Sequence, residues 1–163
     1  MRAIHGTTKD GKPATREGVP RIHWDGEDGD YYIMATDLMG PSLEDLLTYC
    51  RGKLSLKTTL LIAEQALRLL RCLHKAEWLH RDVKPDNFVM GTGRDANNMY
   101  VIDMGVAVDW NRAELAYRFV SDGERSWVGT PEYAPLRAHE RRGAFFFYPG
   151  YQWSTNPQLR AVL

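Results

Sequence analysis

The segment His80-Arg81-Asp82-Val83-Lys84-Pro85-Asp86-Asn87 gathers a carboxylate, an ammonium group and a carboxamide into eight residues. Each has a chemical use at its offset. Asp82 can hold a hydroxyl by its proton and take that proton during transfer. Lys84 can reach an oxyanion being passed to that hydroxyl. Asn87 offers a hard carbonyl oxygen to a divalent cation. A second hard oxygen follows an apolar stretch, in Asp103-Met104-Gly105. Group transfer that depends on placement and charge needs little more than this set on a short, stiff segment. Pro85 fixes one φ between Lys84 and Asn87 and supplies stiffness. Read singly, the residues are ordinary: Asp103 could be a turn acid before Gly105, and Asp82, Lys84 and Asn87 could belong to a capped surface loop. Their joint spacing favours the chemical reading.

Strands and helices must hold that set. Residues 19–24 alternate well enough for a short strand, residues 25–30 form a cluster of Asp, Glu and Gly that reads as a turn, and residues 31–35 read as a second strand, together an antiparallel hairpin. A short helix starts in Pro41-Ser42-Leu43-Glu44-Asp45-Leu46-Leu47, where Ser42 and Asp45 have capping-box spacing. Ser55 is an N-cap for a long helix from Leu56 to Lys75, whose apolar face runs through Leu60, Ala63, Leu67, Leu70 and His74, widened by Leu61, Leu69 and Leu73. Residues 88–90 and 100–102 are two short strands around the turn Gly91–Asn98. Residues 106–128 show no pattern, and Gly129-Thr130-Pro131-Glu132-Tyr133-Ala134-Pro135 is turn-rich. The class is α+β.

With 163 residues, the chain is sized for one domain with its own core. Its 21 basic and 21 acidic side chains cancel, so charge favours neither nucleic acid nor an anionic membrane as partner. Cys72 lies in the helical apolar pattern, which reads as a free thiol, and with Cys50 as the only other cysteine a reducing compartment is expected. Met1 to Gly18 lacks the apolar segment of a signal peptide, so an intracellular, cytoplasmic or nuclear location is expected. His5, His23, His74 and His139 read as structural or solvated, and the run Phe145–Tyr148 as partly buried apolar sequence.

Together these landmarks resemble the protein kinases and, more narrowly, the casein kinase 1 family. The catalytic segment carries the first resemblance. Leu38-Met39-Gly40-Pro41-Ser42-Leu43-Glu44-Asp45-Leu46, Gly26-Glu27-Asp28-Gly29-Asp30-Tyr31 and Phe88-Val89-Met90-Gly91 carry the second. The match covers roughly residues 19–136. It implies a kinase-like fold, mainly the helical C-terminal lobe with a remnant of the N-terminal sheet: a polar tail over 1–18, a partial kinase domain over 19–140 and a divergent aromatic tail over 141–163. The hinge would lie near 36–42, the catalytic loop at 80–87 and the activation segment at 103–135.

The resemblance also implies roles. Asp82 would be the catalytic base, Lys84 the phosphate contact, and Asn87 and Asp103 the Mg2+ ligands. Thr36 would back the adenine pocket, Asp37 and Met39 would offer backbone groups to ATP, Ser42 and Asp45 would lie near the ribose, and Val89 and Ile102 would floor the site. His80, Arg81, Gly105 and Thr130 would be structural, with Thr130 bracing the catalytic loop. The implied partner is a protein substrate, acidic or already phosphorylated, and Arg118 and Arg125 are candidates for a basic substrate pocket.

Some features depart from the family pattern. No G-x-G-x-x-G and no V-A-I-K-like strand precede the hinge, Met104 stands where Phe is usual, and the likeness stops after about Glu140. Two readings follow: a Ser/Thr protein kinase using Mg-ATP, or a catalytically impaired relative or fragment that binds nucleotide or protein. On either reading the long helix is expected to keep apolar surface uncovered.

Overall fold

Aromatic and β-branched residues crowd Tyr31–Thr36, and this segment forms a strand (β2) paired antiparallel with Ile22–Asp28 (β1). The computed structural model describes residues 18–109 and 128–134. The hairpin differs from its sequence expectation. β1 runs on through the polar residues 25–28, and the turn is confined to Gly29 and Asp30, with Asp28 opposite Tyr31. Gly29 supplies the positive φ (58°) that so tight a connection requires. The acidic residues signalled solvent exposure rather than a long turn. Residues 19–21 leave the expected strand altogether: Val19 is buried in the main core, and the carbonyl of Gly18 accepts a hydrogen bond from the N–H of Val101.

Helix α1 (Leu43–Tyr49) begins at Ser42 with the capping box that the spacing predicts: the Ser42 hydroxyl accepts from the N–H of Asp45, and the Asp45 carboxylate accepts from the N–H of Ser42. Helix α2 (Leu56–Lys75) starts at its predicted cap, Ser55, whose Oγ accepts from the N–H of Thr58.

The expected apolar face of α2 is buried only in part, through Leu69, Leu70 and Leu73. Leu69 and Leu73 are buried and Ile62, Ala66 and Leu70 pack beside them, whereas Leu60 and Leu67 remain 60% and 48% exposed. The two stripes are both helically spaced, so period alone does not choose between them; the position of the sheet does. Among the described residues the second stripe, with Leu56 and Leu61, lies open.

The short strands β3 (Trp78–Leu79), β4 (Phe88–Met90), β5 (Met99–Val101) and β6 (Val108–Asp109) follow α2. β4 and β5 pair antiparallel, Phe88 with Val101 and Met90 with Met99, placing β5 one residue earlier than predicted. β3 pairs with β6. That corrects the pattern-free reading of residues 106–128, since a two-residue strand carries no detectable period. The core joins Val19, Leu69, Leu73, Phe88, Met99, Val101 and Met104. Each large apolar side chain buried there contributes roughly 1.5–3 kcal/mol. Met104 thus fills an apolar slot directly after Asp103.

Cys50 and Cys72 are free thiols. No described helix is long and apolar enough to cross a membrane. The expectations for the polar tail up to residue 17, for Arg118 and Arg125, and for the aromatic segment lie outside the described residues.

Candidate active site

The site is built on a buried imidazole. His80 is 2% exposed. Its Nδ1 accepts from the N–H of Asp82 at 3.2 Å. The proton therefore sits on Nε2, which donates to the carbonyl of Ile102 at 2.9 Å. One ring thus ties the start of the 80–87 loop to the residue before Asp103. Arg81 and Asp103 hold positive φ values of 67° and 57°. Non-glycine residues in this region cost on the order of 1 kcal/mol or more and are retained where surrounding contacts over-determine them. Here Arg81 Nε donates to the carbonyl of Val106 at 2.5 Å, and Asp103 Oδ1 accepts from the N–H of Gly105 at 3.2 Å.

The Asp82 carboxylate is nearly buried, at 9% exposure. Oδ1 accepts from the backbone N–H of Thr130 at 2.7 Å. Oδ2 accepts from Nζ of Lys84 and from Nδ2 of Asn87, both at 3.1 Å. Burial is the largest single influence on its pKa and pushes it up. The hydrogen bonds from Thr130 and Lys84, with the Lys84 charge, together outweigh burial and hold the carboxyl below its usual value. The Asp82 hydrogen bond in turn raises the pKa of Lys84, helped by the charges of Asp82, Asp86 and Asp103. Lys84 Nζ also donates to Oγ1 of Thr130 at 2.9 Å. Thr130 therefore braces both charged groups, one through its backbone and one through its hydroxyl.

Asn87, 4% exposed, uses Nδ2 on both the carbonyl (2.7 Å) and the carboxylate of Asp82. Its Oδ1 is the group left to ligate a cation. Its backbone carbonyl accepts from the N–H of Ile102 at 2.9 Å, which sets Asp103 beside it along the β4–β5 ladder. A carboxamide oxygen and an exposed carboxylate are hard donors, the kind Mg2+ takes while keeping several waters. The donor set fits the metal.

The 36–45 segment is arranged differently. The Thr36 hydroxyl donates to the carbonyl of Asp37. Asp37 turns its carboxylate to β1, accepting from the N–H of Arg21 at 2.8 Å and pairing with Nε2 of His23 at 2.6 Å. The Arg21 hydrogen bond first, and His23 second, hold its pKa below the usual carboxylate value. Its own N–H donates to the carbonyl of Arg21. Met39 keeps its place in the chain between Asp37 and the 40–42 segment, which lies against β4: Gly40 N–H donates to the carbonyl of Met90, and Met90 N–H to that of Pro41. Ser42 and Asp45 are engaged with each other, and the Ser42 hydrogen bonds lower the Asp45 pKa. Val89 is buried and bridges Ser42, and Ile102, the residue after β5, is half-buried.

The fold thus brings Asp82, Lys84, Asn87 and Thr130 into one hydrogen-bonded unit, with Asp103 adjacent. Arg21 and His23, which anchor the hinge-side segment, carried no motif that would have marked them. The protein kinase domain model matches residues 21–140, nearly three-quarters of the chain. The chain belongs to the protein kinase domain family. By family the protein is a phosphotransferase, and membership implies use of ATP and a divalent metal, and protein substrates. The kinase domain match spans both the 36–45 segment and the 80–87 loop.

Proposed function

We propose that the chain acts as a serine/threonine protein kinase of the casein kinase 1 type, passing the γ-phosphoryl group of Mg-ATP to a protein hydroxyl. The carrying observation is the closed network of Asp82, Lys84, Asn87 and Thr130. The subfamily and the Ser/Thr preference rest on the segments Leu38–Leu46, Gly26–Tyr31 and Phe88–Gly91, and the preference for acidic or phosphorylated protein on that likeness.

The network suggests how the residues divide the work. Oδ2 of Asp82 already receives two donors and Oδ1 one, so the remaining lone pair on Oδ1 is where a substrate hydroxyl would be held. A carboxylate kept below its ordinary pKa is a weak base. Its role is to orient the hydroxyl and accept the proton late, which suits a loose phosphoryl transition state. Lys84 has three N–H donors; two are spent on Asp82 and Thr130, leaving one for a phosphoryl oxygen. Asn87 and Asp103 would hold Mg2+, which when bound neutralises charge gathering on the phosphates. Thr36, Met39, Val89 and Ile102 would frame the nucleotide base, with Ser42 and Asp45 towards the ribose once their mutual bonds loosen.

A binding module without turnover is the second reading, favoured by residues 1–35, which carry neither G-x-G-x-x-G nor a V-A-I-K-like strand. The deciding experiment is transfer of labelled γ-phosphate from Mg-ATP to casein or an acidic peptide. Activity that disappears in Asp82→Asn establishes the kinase. Mg-ATP binding without transfer establishes the module.

A further inference from the structure

Gly129 precedes Thr130 and has a φ of 93°, in the left-handed region that favours glycine. A methyl group on its Cα would lie 2.4 Å from the carbonyl oxygen of Arg81 and 3.4 Å from Oδ1 of Asp82. The Arg81 carbonyl cannot easily retreat. Arg81 is itself held at positive φ, its side chain is tied to Val106, and its neighbours are fixed by the His80 ring. The other described positive-φ glycines are different. Gly29, Gly52 and Gly93 would meet nothing within 4 Å, and Gly18 would meet only the side chain of Leu69.

We propose that Gly129 is a positioning residue for the catalytic carboxylate. Having no side chain, it lets the backbone rest against the Arg81 carbonyl, and this close approach aims the N–H of Thr130 at Oδ1 of Asp82. The inference rests on the reading of Asp82 as the base and adds to it a second segment, 48 residues away in sequence, which holds Oδ1 of that base. An alanine at 129 must open the 2.4 Å approach past 3.0 Å. The backbone shift of over half an ångström is enough to take the 2.7 Å Thr130–Asp82 bond beyond the usual N–H···O range of about 3.2 Å. The Thr130 hydroxyl, on its own rotatable bond, can still reach Lys84. Gly129 therefore acts on the carboxylate's orientation rather than on the lysine.

The test is amide hydrogen exchange at Thr130, followed by NMR in the full chain. Gly129→Ala is expected to speed exchange of the Thr130 amide at least tenfold. Gly52→Ala, which places the same residue at a φ of 75° with open space around it, is expected to leave that amide unchanged. Asp82→Ala, which removes the acceptor without touching Gly129, should also speed it tenfold and serves if Gly129→Ala does not fold. Unchanged protection in Gly129→Ala overturns the proposal, as does loss of protection in Gly52→Ala or full protection in Asp82→Ala. In the phosphotransfer assay, Gly129→Ala should lower kcat at least tenfold with KM for ATP within twofold. Absence of transfer by the unsubstituted chain would count against the kinase reading, while the exchange result would still decide the role of Gly129.

Discussion

The 80–87 loop and the 36–45 segment face the same proposed nucleotide, yet they are built on opposite plans. In the loop, His80, Asp82 and Asn87 are buried, and besides their bonds to one another His80 and Asp82 are held from far away in sequence, by Ile102 and Thr130. In the 36–45 segment the side chains are exposed or half-buried and mostly serve local structure: Ser42 and Asp45 cap α1, and Asp37 clamps the base of the hairpin. The difference teaches where preorganisation is invested. A group that handles a proton or a phosphoryl oxygen must be held before the reaction begins, because reorganising it during transfer raises the barrier. A segment that meets a flat aromatic base can do so with backbone groups and apolar surface.

The contrast can be broken most severely at Asp82. Asp82→Asn keeps the shape and an acceptor oxygen but removes the charge, and kcat in the casein assay should fall roughly 10²–10⁴-fold. Equal activity in that variant would remove the loop's claim to chemistry. Asn87→Ala should strip one proposed metal ligand and leave the Asp82 main-chain carbonyl without its donor. The expected signs are weaker Mg2+ dependence of nucleotide binding and a loss of about 1–3 kcal/mol in urea unfolding. On the other side of the comparison, Ser42→Ala should cost about 1 kcal/mol through the lost cap, visible as a lower melting temperature, with little change in kcat. A large kcat effect there would show that the two regions are not divided as argued.

Acid should separate them too. The Asp82 pKa is depressed in the folded state, so its stabilising contribution is complete above the unfolded value of about 3.9 and is lost as pH falls through the folded value. Urea midpoints should therefore fall below about pH 4, and Asp82→Asn should flatten that fall. The smallest effect is expected at His23. Its pairing with Asp37 is half-exposed on both sides, and His23→Ala should change stability by roughly 0–1 kcal/mol, less in high salt.

Much of this site is legible in residue order because its chemistry is compressed into a few positions. Asp82, Lys84 and Asn87 share one loop, and Asp103 follows one hairpin later. The two helix caps are legible for a similar reason: Ser42 with Asp45, and Ser55 with Thr58, are contacts between residues three apart. The misread elements depend on distant partners. The polar residues 25–28 are strand because β2 lies alongside them. Val108–Asp109 is strand because Trp78–Leu79 is there to pair with it.

The amino-acid sequence by itself determined the chemical set, the class of fold and the starts of both helices, since these follow from spacing within a turn or a loop. Only the tertiary structure decided which part of the apolar face of α2 is buried, that Val19 enters the core, and that the backbone N–H of Thr130 is the group that reaches Oδ1 of Asp82. A helical period or a carboxylate can serve several partners equally well, and the choice is made by the long-range contacts that close the chain around them.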